Sequence, residues 1–437
     1  MKGPARNLLL FAAVFGLFAL VAWQQSPNLA LAIFNLGLVS AIMALGVNIQ
    51  WGYAGLLNVG VMGFAALGGL AAVVVAMPPV AKSWTAGGAG ILVALLVALA
   101  TIVLAVFVWR KLRWGRALAV TIIVIGGFIL YREILDPAVS AVERVDAALA
   151  GYLGGLGLPI ILSWFVGALF AAGASWVVGK ITLGLRSDYL AIATLGISEI
   201  VVAVLKNEDW LARGVKNVTG LPRPVPYEVD LQRAPWVAEL ANEFAMTSID
   251  MAAIVVKLSY TALFGTVLLL VLLLAEKALR SPWGRMMRAV RDNEVAAEAM
   301  GKDVKGRHLQ VFVLGGAVIG MAGAMLTTLD GQFTPASYQP LRFTFLIWVM
   351  VIVGGSGNNW GAVLGGLLIW FCWIQAEPVG VWLVNFATSF LDDTNAIRQH
   401  FVQNAAFMRL TTMGLILLIT LRFAPRGLIP ERVHTRA

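Results

Sequence analysis

The chain has 437 residues, of which 60% are hydrophobic and 13% are charged. Its mean hydropathy is +0.85, which excludes a water-soluble globular protein because so much apolar surface could not face water. The net charge of +9 comes from basic residues that stand in short clusters beside apolar runs, which favours membrane topology over nucleic-acid binding. The single cysteine, Cys372, and three dispersed histidines exclude an internal disulfide and indicate no metal site and no cofactor.

About twelve apolar stretches follow one another along the chain, bounded by charged residues, glycine, proline or tryptophan. They lie at 7–23, 29–49, 53–77, 91–109, 117–131, 158–179, 188–205, 251–275, 308–328, 341–354, 361–375 and 408–421. Backbone groups in hydrocarbon must be paired internally, and the stretches lack the alternation of a membrane barrel. The sequence therefore predicts an all-α, polytopic membrane helical bundle of about 10–12 transmembrane helices. The stretches 341–354 and 361–375 are alternatively one re-entrant hairpin.

The loop charges predict an orientation, because cytoplasmic loops retain arginine and lysine. Residues 276–307 carry eight bases and five acids, and residues 110–116 carry four bases and no acid. Residues 206–250 have five bases and seven acids, and residues 132–146 have two bases and four acids. We therefore expect 276–307 to be a cytoplasmic loop, 206–250 to be a periplasmic loop, and both termini to be cytoplasmic. The first apolar stretch is interpreted as an uncleaved helix.

The basic loop contains a predicted helical hairpin. Asp292 or Asn293 can cap a short helix through Met300, and Gly301 can end it in a left-handed turn. Such a compact element can dock in a groove of a soluble partner and transmit its motion; the alternative is a solvated loop beside lipid headgroups. The predicted surface is an apolar knob with an acidic edge, formed by Val295, Ala299, Met300, Glu294 and Glu298.

Two features inside the predicted membrane region can line a pathway for solute. Gly52, Gly55 and Gly60 let the backbone leave helical geometry, so that a broken helix exposes its carbonyls and amides to a polar substrate. The alternative is close packing of helices through small residues. Glu199 falls near the middle of its stretch, where a carboxylate must face a cavity or a partner, or be neutral.

The basic loop resembles the coupling element of ATP-binding cassette importer permeases. Residues 291–301 match the form Arg-Asp/Glu-Asn-Glu-x-Ala-Ala-Glu-Ala-x-Gly of LivM-type branched-chain amino acid permeases. Five further signatures are similar to that family in the same order, at 48–60, 185–195, Gly323-Ala324 with Pro335, 353–358 and 426–428. The chain departs from the pattern where Asn58 and Val61 replace serine and histidine, and where residues 110–155 form a predicted inserted helical segment.

The resemblance implies a single transmembrane permease domain over residues 1–437 that imports branched-chain or related small amino acids or amides by alternating access across a bacterial inner membrane. The implied partners are cytoplasmic ATP-binding cassette ATPases, a second homologous permease subunit, a periplasmic substrate-binding protein and membrane lipid, with no nucleic acid. The implied ATPase-coupling residues are Arg291, Asn293, Glu294, Ala297, Glu298 and Gly301. The candidate translocation-pathway residues are Asn48, Gly52, Tyr53, Gly55, Asn58, Tyr189, Thr194 and Glu199.

Other classes of protein are weighed against this interpretation. The chain has no phosphate-binding Gly-x-x-x-x-Gly-Lys-Ser/Thr motif, because Gly179-Lys180 is followed by Ile181, so it needs a separate ATPase. It has no serine, histidine and carboxylate set for catalysis, so no catalytic residue is assigned and an enzyme is not expected. The alternative function is an ion-coupled secondary transporter or channel for small polar solutes, in which Glu199 carries the coupling ion.

Overall fold

The computed structural model describes residues 4–112, 114–146, 151–389, 395–404 and 407–431. Parts of the predicted 110–155 insertion (113 and 147–150) and of the predicted cytoplasmic termini (1–3 and 432–437) lie outside these ranges. The helices of the first half are α1 Pro4–Gln24, α2 Pro27–Val47, α3 Val61–Ala76, α4 Ala81–Ser83, α5 Ala89–Lys111, α6 Arg116–Glu143, α7 Ile161–Thr182, α8 Ser187–Asn207 and α9 Asp209–Ala212. Those of the second half are α10 Glu228–Gln232, α11 Pro235–Glu243, α12 Ser248–Arg280, α13 Pro282–Asp292, α14 Glu294–Ala299, α15 Val304–Asp330, α16 Pro340–Gly354, α17 Asn359–Ala387, α18 Ala396–Gln403 and α19 Met408–Phe423.

Smaller elements complete the described chain. Single π-helical turns, Asn48–Gly52 and Trp84–Gly88, follow α2 and precede α5. Two short strands, β1 Val218–Thr219 and β2 Gln332–Phe333, pair antiparallel, with Val218 opposite Phe333. Within the described ranges, nine helices are long and apolar enough to cross a bilayer, and α3 and α16 are shorter apolar helices. The prediction of an all-α polytopic bundle is confirmed.

Small residues bring the central helices into close contact. A side chain at Gly68 of α3 would overlap the carbonyl of Gly320 on α15, and one at Gly323 would overlap the backbone of Ala65. On the other side of α15, Gly320 lies against Gly167 of α7. Because lipid tails provide no hydrophobic force between helices, such close backbone approach is what holds α3, α7 and α15 together.

The hairpin of α5 and α6 stands apart from this core. Its helices pack mainly on each other, and most of their large apolar side chains are exposed. A small separate cluster around Ile91, Leu135 and Val142 joins the base of the hairpin to residues near Trp210. The hairpin therefore presents an apolar surface suited to lipid or to another subunit. Whether residues 110–155 are an insertion stays a prediction.

The structure differs from the predicted stretches at three places. The short stretch 117–131 is part of α6, which has 28 residues. Stretches 341–354 and 361–375 belong to two helices, α16 and α17, of 15 and 29 residues, so the second is much longer than predicted, and whether the pair is re-entrant stays a prediction. The stretch predicted at 53–77 becomes a regular helix only at Val61, because residues 55–60 carry no regular structure.

Candidate functional site

The chain breaks its helical path between α2 and α3, at residues 48–60, which we call the helix break. Gly55 takes a positive φ of +70°, which glycine adopts without strain. A side chain at Gly52 would overlap Asn48 and the backbone of Gly357, and one at Gly60 would overlap the carbonyl of Thr194. The glycines thus let the backbone turn and let neighbouring segments approach, whereas exposure of backbone groups to a substrate stays a prediction.

Buried amide side chains fill one side of the helix break. Asn48 accepts a hydrogen bond from the backbone N–H of Gly357 (2.8 Å) and donates to Oδ1 of Asn359 (3.1 Å). The Tyr53 hydroxyl also donates to Oδ1 of Asn359. Asn359 in turn donates to Oε1 of Glu276 near the end of α12 (3.0 Å). Asn48, Tyr53 and Asn359 are all buried, so this network fixes the break to α12 and α17.

A second set of hydrogen bonds holds the other side of the helix break. Gln50 donates to the Phe312 carbonyl of α15 (2.8 Å) and accepts from Asn58 (2.8 Å). The carbonyl of Asn58 accepts from the indole N–H of Trp348 on α16 (3.0 Å). The hydroxyl of Thr194 on α8 accepts from the backbone N–H of Val59 (3.0 Å). Phe312, Trp348 and Thr194 lie on three different helices, so the polar groups of the break are bound by the surrounding bundle.

The predicted hairpin is present as α13 and α14. Asn293, and not Asp292, caps α14, because its side chain accepts from the backbone N–H of Ala296 (2.9 Å). Gly301 follows with a φ of +74°. No residue of α14 is buried, and Val295 and Met300 are 77% and 79% exposed. α14 therefore presents an exposed apolar surface between Asn293 and Gly301.

Arg291 joins this hairpin to the helix break. At the end of α13 its guanidinium donates one hydrogen bond to the carbonyl of Gly52. A second nitrogen pairs with Glu431 at 2.9 Å, and both side chains are about three-quarters or more buried, being 24% and 19% exposed. On the same helix Met287 and Val290 are buried. Movement of α13 must therefore pull on the backbone of the break or break a charged hydrogen bond.

The structure brings together six of the eight predicted pathway residues. Asn48, Gly52, Tyr53, Gly55, Asn58 and Thr194 all lie at the helix break. Tyr189 and Glu199 lie instead on an exposed face of α8, beside the exposed Ile192 and Ile200. Whether any of these residues contacts cargo stays a prediction.

Sequence reasoning missed six side chains of the site: Gln50, Ser198, Glu276, Trp348, Asn359 and Glu431. Ser198 accepts a hydrogen bond from the N–H of Gly63, at 2.8 Å. Gln50 lies inside the glycine-rich signature and Asn359 directly follows Gly354–Asn358, so a polar residue beside each glycine cluster was the available signal. In the described parts of the chain, no group of three or more histidine, cysteine, aspartate or glutamate residues could hold a metal ion.

These features define a multi-pass α-helical membrane protein with a polar helix break and an anchored, exposed hairpin at one end. Residues 114–382 match the family described as "Branched-chain amino acid transport system / permease component". The match covers more than half of the chain, and the protein belongs to this family of transport proteins, which are not enzymes.

Individual relatives agree with the family. The chain is 29% identical over 233 residues to the high-affinity branched-chain amino acid transport system permease protein LivM of Escherichia coli (strain K12), which covers 52% of this chain and 53% of the relative. It is 26% identical over 298 residues to a probable LivM of Methanocaldococcus jannaschii, covering 68% and 74%.

A LivH permease protein of E. coli (strain K12) is 24% identical over 213 residues, covering 48% of this chain and 63% of the relative. The chain thus spans about half the length of the E. coli LivM protein that it matches. No solved structure matches the chain.

Proposed function

We propose that this protein is the membrane-spanning subunit of an ATP-binding cassette importer. It carries branched-chain or related small amino acids, or amides, across a bacterial inner membrane by alternating access. A cytoplasmic ATPase drives the cycle, a periplasmic substrate-binding protein delivers the cargo, and a second homologous permease completes the assembly. Similarity to proteins named LivM and LivH supports the substrate class and the second subunit.

One observation carries this proposal: α14 is uncovered, yet its base is tied to the helix break. Because none of its residues is buried, α14 contributes little to the packing of this chain. Arg291 connects it to Gly52, and through the buried amides to α12, α16 and α17. A partner that displaces α14 therefore also moves the helix break. In this way a conformational change of the ATPase is transmitted to the translocation pathway.

The proposed coupling residues have distinct tasks. Asn293 and Gly301 set the two ends of α14, and the small Ala297 permits close approach of the partner. Glu294 and Glu298 are exposed carboxylates one turn apart, which can pair with basic groups of the ATPase. In this arrangement 276–307 is cytoplasmic, and 206–250, together with β2, lies at the opposite, periplasmic end where the binding protein docks. Both termini are then cytoplasmic.

Glu199 has a place in the same proposal. A carboxylate exposed between apolar side chains, midway along a membrane helix, is costly in lipid. We therefore assign this face of α8 to contact with the second permease subunit, where Glu199 meets a polar partner or the shared pathway. The hairpin of α5 and α6 faces lipid or a partner subunit.

Substitution of Ala297 tests the coupling role directly. Ala297→Glu places a longer charged side chain on the partly exposed contact face, and we expect it to abolish co-purification of the ATPase and uptake of leucine while membrane insertion is unchanged. Ala238→Glu on α11 is the matched control, because Ala238 is similarly part-exposed but lies at the other end of the bundle. Unchanged ATPase association in Ala297→Glu would contradict the proposal. So would labelling of Val295→Cys, in a Cys372→Ala background, by an impermeant maleimide from the periplasmic side.

A further inference from the structure

A cavity of about 270 Å³ lies between α2, α3, α15, α16 and α17 and is open at its β2 end, where Asp330 and Gln332 are exposed. Its wall is mostly apolar and includes Met43, Leu346 and Ile347. Asp330 and Gln332, at the β2 end of α15, also line it, and Met62 lies in the first turn of α3. The volume is close to the lower limit of about 300 Å³ for small-molecule sites, so the cavity can hold one small metabolite.

Polar groups without partners cluster around this cavity. Oγ1 of Thr334 and Nε1 of Trp370 are buried and have no hydrogen-bond partner among the described residues, and both residues line the cavity. Ser40, which is buried, lines it as well. An unpaired buried donor or acceptor is costly, so each of these groups requires a hydrogen-bonding partner inside the cavity, and a polar ligand can provide it. Tyr338 is already committed, because its hydroxyl pairs with Thr327 at 2.8 Å and burial raises the pKa of its phenol.

The charge of the cavity has one sign. Among the described residues that line it, Asp330 is the only charged one, and within the described chain it forms no salt bridge. A carboxylate of this kind selects a cationic group. The hydroxyl groups and the indole N–H can bind a carboxylate, and the methionine, leucine and isoleucine side chains can surround an apolar group.

We propose that this cavity binds one zwitterionic amino acid with an apolar side chain, with its ammonium group at Asp330. The inference rests on the proposed function, because it names a site for the imported cargo within this one chain. The inference also connects the cargo site with the helix break. Met62 follows Gly60 by two positions, so the cavity reaches the first turn of α3, directly after the helix break that Arg291 contacts at Gly52.

Equilibrium binding of tritiated L-leucine to the full chain in lipid nanodiscs tests the site. We expect saturable binding that isoleucine and valine displace. Isovalerate, which is valine without the ammonium group, should displace leucine at least about tenfold less well than valine does. Asp330→Asn removes the carboxylate charge and should weaken leucine binding by about tenfold or more. Trp370→Phe removes one donor at similar shape and should weaken it by about three- to tenfold.

Trp382→Phe is the matched control, because Trp382 lies on the same helix with 62% exposure and does not line the cavity. It should bind leucine as the unmodified protein does. Equal binding by unmodified protein, Asp330→Asn and Trp370→Phe would overturn the inference, and so would displacement of leucine by isovalerate with undiminished strength. Absence of saturable binding would overturn it as well.

These results separate the site from the coupling proposal. If leucine binding depends on Asp330 but no ATPase associates with α14, the site stands and the ATP-driven mechanism fails. If Ala297→Glu abolishes ATPase association and uptake while Asp330→Asn leaves leucine binding unchanged, the mechanism stands and the site is wrong.

Discussion

The helix break and α14 are both short segments between the long helices of the bundle, yet they differ in burial. In the break, Asn48, Gln50 and Asn58 are fully buried, and each is hydrogen-bonded to a residue of another helix. In α14 no residue is buried. The difference indicates two different roles. A buried, hydrogen-bonded segment maintains one geometry, whereas an uncovered helix is free to bind a partner. Arg291 is the joint between them.

The largest loss of stability is expected from a side chain in the break. Gly52→Ala places a methyl group on Asn48 and the Gly357 backbone, so overpacking should destabilise the protein by about 1–3 kcal/mol. Gly173→Ala on α7 is the control, since apart from its own stretch of helix backbone no atom lies within 4 Å of its added methyl group. Its effect should be neutral or stabilising by up to about 1 kcal/mol. Thermal unfolding of the purified variants measures both, and equal midpoints would show that the break is not tightly packed.

Removal of the Arg291 side chain should have an intermediate effect on stability. Arg291→Ala deletes the hydrogen bond to Gly52 and leaves Glu431 without its partner, which should cost about 1–2 kcal/mol, because both groups are partly buried. Uptake should fall at least about tenfold while ATPase co-purification persists, since α14 itself is unchanged.

Arg280→Ala serves as the comparison for that variant. Its side chain is 81% exposed and pairs with Glu276 at 3.3 Å. The substitution should lower the free energy of unfolding by no more than about 0.5 kcal/mol, and uptake should stay close to normal. Normal uptake by Arg291→Ala would show that α14 and the break are not coupled through this residue.

The smallest effect on stability is expected on α14. Val295→Ser changes a side chain that is 77% exposed, so unfolding should shift by less than about 0.5 kcal/mol, whereas association with the ATPase should weaken. Val290→Ser, five residues earlier and 1% exposed, should destabilise the protein by about 2 kcal/mol. Similar unfolding midpoints for the two variants would contradict the difference in burial on which this comparison rests.

The sequence alone was sufficient for features that depend on neighbouring residues. Apolar stretches of membrane length predicted the all-α bundle, because hydrocarbon leaves the backbone no other partner. Asp292 or Asn293 at one end and Gly301 at the other predicted the ends of α14, because a cap involves residues within one helical turn, and the structure selects Asn293. The glycines at 52, 55 and 60 predicted a departure from helix for the same local reason.

Only the tertiary structure decided which polar groups meet. Gln50 bonds to Phe312 across 262 positions, and Asn48 to Asn359 across 311, and no local pattern contains such pairs. The same holds for Arg291 with Gly52, and for the cavity, where Asp330, Thr334 and Trp370 come from separate segments. The tertiary structure also places Glu199 on an exposed face of α8. The burial of a side chain depends on how its helix is rotated against the neighbouring helices, and the sequence of one helix does not specify that rotation.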